Sequence, residues 1–124
     1  MKDAIEIRHY VTNAGKDAFE EWLNGLADLR TQAKIAVRIN RLAVGNFGDC
    51  KALGRSLNEL RIQWGPGYRV YYSTIGKQSV LLLCGGDKGT QASDIQRAAE
   101  YLEDYKLRTR KRRNAKQVFP TMRR

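Results

Sequence analysis

The sequence predicts an α+β fold: a four-stranded antiparallel or mixed sheet in the order β-α-α-β-β-β-α, with a helical hairpin packed on one face and a C-terminal helix. Three observations predict it. Residues 4–11 alternate apolar and polar side chains, as a half-buried strand does. Residues 16–44 carry apolar residues at helical spacing in two runs. After Gly45-Asn46-Phe47-Gly48 the period falls from 3.6 to 2.

Each element can be justified in turn. Between Lys16 and Leu29, Phe19, Trp22, Leu23 and Leu26 make one apolar stripe; between Thr31 and Val44, Ala36, Ile39, Leu42 and Ala43 make another. Leu57–Trp64 and Tyr68–Thr74 flank Gly65-Pro66-Gly67 and read as a β-hairpin. Val80–Cys84 is uniformly apolar, as suits a central strand covered on both faces. Gly85-Gly86-Asp87-Lys88-Gly89 reads as the loop that ends it. Ser93, with Gln96 at capping-box spacing, or Thr90, starts a last helix whose stripe is Ile95, Ala98, Ala99 and Leu102.

At 124 residues the chain predicts one domain, residues 1–105, followed by a basic extension, residues 106–124. The net charge is +10, yet nine of the 23 basic residues and none of the 13 acidic ones lie in the extension, so the body is close to neutral. Within the body, residues 30–88 again hold a local basic excess. Two basic regions point to a polyanion, since each neutralised phosphate releases counterions; a solvated face is the plainer alternative. Arg30, Lys34, Arg38 and Arg41 recur on one face of the second helix, and with Lys51, Arg55, Lys111, Arg112 and Arg113 they are the candidate RNA-binding residues. The charged N-terminus and the absence of a long apolar run predict a protein without membrane contact, and two isolated cysteines suit a cytoplasmic location.

Chemistry concentrates in the hairpin. With Trp64 opposite Tyr68, Leu60, Ile62, Trp64, Tyr68, Val70 and Tyr72 pack inward. The solvent face then presents Glu59, Arg61 and Gln63 opposite Arg69, Tyr71 and Ser73, with Arg61 near Tyr71 and Arg69 near Gln63. Two guanidiniums side by side suit a phosphate, and an aromatic beside them suits a base. The competing reading pairs Arg61 with Glu59 and leaves Tyr71 as a packing residue. His9 is read as structural, with no metal and no cofactor, since no second His or Cys stands at ligand spacing. No phosphate-cradling glycine loop is present in the sequence.

The segments Leu57-Asn58-Glu59-Leu60-Arg61-Ile62, Gly65-Pro66-Gly67-Tyr68-Arg69-Val70-Tyr71-Tyr72 and Leu81-Leu82-Leu83-Cys84-Gly85-Gly86-Asp87-Lys88-Gly89-Thr90-Gln91 together resemble the RelE/ParE toxin superfamily, and within it the HigB-like addiction-module killer proteins. The likeness spans roughly residues 1–106. It implies a RelE-like fold and a toxin of a type II toxin–antitoxin system, acting as a metal-independent mRNA endoribonuclease at the ribosome. The implied partners are mRNA, the ribosome and a cognate helix-turn-helix antitoxin. Arg69 matches the family's catalytic arginine, Arg61 a basic position on the preceding strand, and Lys88 a basic position after the last strand. The resemblance implies that Arg69 and Arg61 stabilise the pentavalent phosphate, Lys88 assists the leaving oxygen and Tyr71 stacks on a base. A ParE-like inhibitor of DNA gyrase without nuclease activity is the main alternative, and an inactive RNA-binding module is a third.

Overall fold

A computed structural model describes residues 4–122, with side chains as far as residue 114. The chain order is β1 (Glu6–His9), α1 (Ala18–Asn24), α2 (Leu29–Ala43), β2 (Cys50–Gly54), β3 (Leu57–Ile62), β4 (Tyr68–Ile75), β5 (Ser79–Asp87), a single 3₁₀ turn (Lys88–Thr90) and α3 (Gln91–Met122). The α+β class and the C-terminal helix are as expected. The sheet, however, has five strands, in the order β1-β5-β4-β3-β2; β1 runs parallel to β5 and the other pairs are antiparallel.

The added strand is β2. It joins β3 through Arg55 and Ser56, both with positive φ (53° and 70°), so a tight turn is made here by residues that carry no turn signal. Lacking an Asn-Gly or Gly-Gly pair, the hairpin was invisible to pattern reading. Being an edge strand, β2 also buries too little for its alternation to show.

Helices cover both faces of the sheet. On one, Phe19 of α1 and Ile35, Ile39 and Leu42 of α2 pack on Leu60, Ile62, Val70, Tyr72, Val80 and Leu82. The α2 stripe thus runs through Ile35 rather than Ala36, which is exposed. On the other face, Ala98 and Leu102 of α3 pack on Leu57, Tyr71, Leu81, Leu83 and Cys84. Each such aliphatic side chain withdrawn from water contributes about 1.5–3 kcal/mol.

In β5 the pairing with β4 skips Leu83, with Tyr71 opposite Cys84 and Tyr72 opposite Leu82. That bulge inverts the facing of every residue after it. Gly85 then lies under the Trp22 ring and Gly86 under Asp94 and Thr90, each at a distance that a Cβ would close. These two glycines therefore belong to the strand and not to the loop expected there.

The helical turn after β5 is capped by Asp87, whose carboxylate accepts from Gly89 N (2.8 Å), while the Thr90 hydroxyl accepts from Asp87 N (3.3 Å). This reciprocal cap replaces the expected Ser93–Gln96 box; the Ser93 hydroxyl donates instead to the Thr90 carbonyl. From there α3 continues unbroken through Met122, so most of the basic extension is the far end of one helix; residues 123 and 124 lie outside the described residues. Among the described residues no helix is long and apolar enough to cross a membrane.

Candidate functional site

The β3–β4 register sets Arg61 directly opposite Arg69, and Glu59 opposite Tyr71. The expected alignment, with Arg61 near Tyr71 and Arg69 near Gln63, is thus off by two residues. Because the side-chain period is 2, a slip of two leaves every residue on its expected face. The inward set holds. The outward set meets solvent only in part: Gln63 is exposed and the Arg61 side chain 31% exposed, but α3 packs on this face, and Glu59 and Tyr71 are wholly buried, 0% exposed.

At the centre is the Glu59 carboxylate. Its Oε1 accepts from Arg61 Nε at 3.1 Å, and its Oε2 accepts from Gln91 Nε2 at 2.6 Å and from the Tyr71 hydroxyl at 3.3 Å. Arg69 Nε stands 3.9 Å from Oε2, an ion-pair distance beyond hydrogen-bond reach, and no hydrogen bond satisfies it among the described residues. The Arg61 side chain is 31% exposed and that of Arg69 12%. Glu59 engages both cations through Nε, and among the described residues no hydrogen bond uses their terminal nitrogens. Two guanidiniums share one carboxylate, leaving a net charge of +1.

Burial works to raise the pKa of Glu59, but the Gln91 and Arg61 hydrogen bonds and the charges of Arg69 and Arg61 outweigh it and hold the group below its ordinary value. Glu59 is therefore an ionised anchor. Tyr71 is driven the other way, mainly by burial and then by the Glu59 charge, so its hydroxyl stays protonated and donates. A wholly buried ring cannot stack on a base, which removes the role expected for Tyr71. The competing reading of Arg61, as the partner of Glu59, is what the geometry shows.

Sequence reasoning missed Glu59 and Gln91 as members of this cluster. For Glu59 a signal existed: it lies two residues before Arg61, hence on the same face. Gln91 reaches the site from the first residue of α3, a tertiary contact that no local pattern encodes. Lys88 is exposed at the end of β5, beside Gly67 of the hairpin turn.

Arg30, Lys34, Arg38 and Arg41 do come together, but elsewhere. With Ala33, Val37, Ile62, Gln63 and Trp64 they line a groove of about 480 Å³ between α2 and the end of β3. Ile62 and Trp64 belong to the α1/α2 side of the sheet, so the groove and the Arg61–Arg69 pair lie on opposite faces of the hairpin. Arg38 is committed to structure: it donates to the carbonyls of Phe47, Asp49 and Arg61. The Lys34 ammonium sits 4.5 Å from the Trp64 ring centre. Lys51 and Arg55 are exposed on β2 and its turn, and Lys111, Arg112 and Arg113 are exposed on α3.

Over 80 residues the chain is 52% identical to an uncharacterized protein of Haemophilus influenzae, an alignment covering 64% of this chain and 81% of that one. The two belong to one family. No family model matches the chain.

His9, expected to have no His or Cys partner, stands beside two carboxylates instead. Its Nδ1 is 2.7 Å from Asp17 Oδ2 and 3.6 Å from Glu20 Oε2, and its ring meets Phe19 edge-on at 5.3 Å. Of the described residues, this trio is the one group able to hold a metal ion.

Proposed function

We propose that the chain is a toxin of the RelE/ParE kind, silenced by a cognate antitoxin, and that it cleaves mRNA without a metal. The observation that supports this most is the pair Arg61–Arg69, directly opposed on one face of the hairpin, with their terminal nitrogens in no hydrogen bond among the described residues and Lys88 at the neighbouring strand end. On this reading the RNA 2′-hydroxyl attacks the adjacent phosphate. The terminal nitrogens of Arg61 and Arg69 take up the charge added at phosphorus, and Lys88 assists the leaving 5′ oxygen. Glu59 is a positioning residue: it fixes both guanidiniums so that little reorganisation remains when the phosphate arrives. Tyr71 acts only through Glu59.

Expression should halt protein synthesis and leave new transcript 5′ ends inside translated codons. Arg69→Ala and Arg61→Ala should each abolish both effects with the far-UV circular dichroism of the purified protein unchanged. Toxicity that persists when both arginines are replaced removes the site.

A second reading has a specific observation behind it. Glu59 already compensates one of the two cations, and Arg69 is only 12% exposed, both of which suit a ParE-like gyrase inhibitor that needs no phosphate site. DNA breaks accumulating beside intact transcripts decide for that alternative.

A further inference from the structure

We propose that His9, Asp17 and Glu20 form a binding site for one divalent transition-metal cation, with zinc as the probe. The inference is independent of the arginine cluster and of the toxin reading.

Three ligand atoms converge: one from each of His9, Asp17 and Glu20, all within 4.8 Å of one another, with His9 Nδ1 2.7 Å from Asp17 Oδ2 and 3.6 Å from Glu20 Oε2. Bonds of about 2.0–2.2 Å in a tetrahedral shell place ligand atoms about 3.3 Å apart. The 3.6 Å between Nδ1 and Oε2 already fits. The 2.7 Å between Nδ1 and Oδ2 is the length of a shared proton, and a cation in the proton's place needs an opening of about 0.6 Å.

The converging oxygens are the uncommitted ones. Asp17 Oδ1 caps α1 by accepting from Glu20 N at 3.0 Å, and Glu20 Oε1 takes a long bond from Asn24 at 3.4 Å. Each carboxylate is thus held by one oxygen and offers the other to the imidazole. One N–H can serve one acceptor well, so the second carboxylate adds negative charge that the ring alone does not balance. A dication balances it.

Support from outside the trio is present too. His9 ends β1, which is paired along its length with β5, and the edge of Phe19 fixes the ring plane. The three side chains are between a quarter and half exposed, which leaves an entry path and room for water to fill the remaining position. Imidazole with two carboxylates suits zinc over the harder magnesium.

The test is titration of the full-length chain with zinc chloride by calorimetry, alongside NMR of the imidazole protons. His9 is the chain's single histidine, so its ring signals report on this site alone. One equivalent of zinc should bind and shift those signals. Glu20→Gln keeps the His9–Asp17 bond and the α1 cap, and it should weaken binding by at least about tenfold, the smallest loss typical even of outer-shell partners. His9→Gln should abolish the one-equivalent event. The proposal is overturned if no heat appears up to millimolar zinc, if the ring signals stay still, or if either variant binds as the parent does, which would assign the metal to Cys50 or another surface group.

Discussion

Converting Glu59 to Gln removes one negative charge from the most enclosed ionic cluster of the fold and tests whether Arg69 depends on it. Gln retains an oxygen to accept from Gln91 and Tyr71, so the loss is chiefly that of charge. Breaking a buried ion pair by removing one partner costs about 3–5 kcal/mol. Arg61, at 31% exposed, can turn to water and contributes only about 0–1 kcal/mol of that. Arg69, at 12%, cannot, but its 3.9 Å contact is not a hydrogen bond, which places the total near the low end, about 3 kcal/mol. With a urea slope of about 2 kcal/mol per molar, the midpoint should fall by about 1.5 M at neutral pH with the slope unchanged. Adding Arg69→Met should return part of this, because the stranded cation goes with the charge that held it. A midpoint shift under about 0.3 M, or a double variant whose loss equals the sum of the single losses, refutes the view that Arg69 is held by Glu59.

Other outcomes follow from the same coordinates. Because the pKa of Glu59 is depressed in the fold, its contribution is present above its ordinary value of 4.5 and is lost as pH falls below that through the folded value; urea midpoints of parent and Glu59→Gln should therefore converge in acid. Tyr10 is raised to about 12, first by burial and then by its 2.6 Å bond to Asp104. That stability is intact below pH 10 and lost as pH climbs toward 12, so Tyr10→Phe should flatten the alkaline arm of a stability profile. Gly85→Ala drives a methyl into the Trp22 ring and should cost about 1–3 kcal/mol, read from thermal or urea unfolding. Replacing Lys111, Arg112 and Arg113 by Gln should lower the salt slope of single-stranded RNA binding by up to about 2, at roughly 0.7 per phosphate contact; an unchanged slope excludes this part of α3 from the interface.

Apart from β2, the strand and helix order was legible because periodicity is a local property, and so was the facing of the hairpin, where a period of 2 tolerates an even error in register. What misled was polarity. Glu59, Arg61, Arg69 and Ser73 read as a wet surface, yet Glu59 and Ser73 are buried; Glu59 tolerates this because Arg61, Gln91 and Tyr71 replace its water, while the Ser73 hydroxyl has no hydrogen-bond partner among the described residues. The α2 basic stripe was correctly gathered on one face, but only the tertiary structure reveals that Arg38 is engaged by three carbonyls and that the stripe faces away from the arginine pair. Likewise His9 acquired its neighbours from the cap and first turn of a helix, eight and eleven residues later, beyond the reach of any spacing rule for compact metal motifs.

The extra residue at Leu83 works as an alignment key. Slide β5 by a single position against β4 and a side chain, that of Cys84 in one direction or of Asp87 in the other, arrives beside Trp22 or Asp94 where only hydrogen fits. One pairing is admitted and its neighbours are rejected on steric grounds. Since β1 joins the sheet solely along β5, and His9 rides on β1, the placement of the chain's first strand is inherited from a defect in its last.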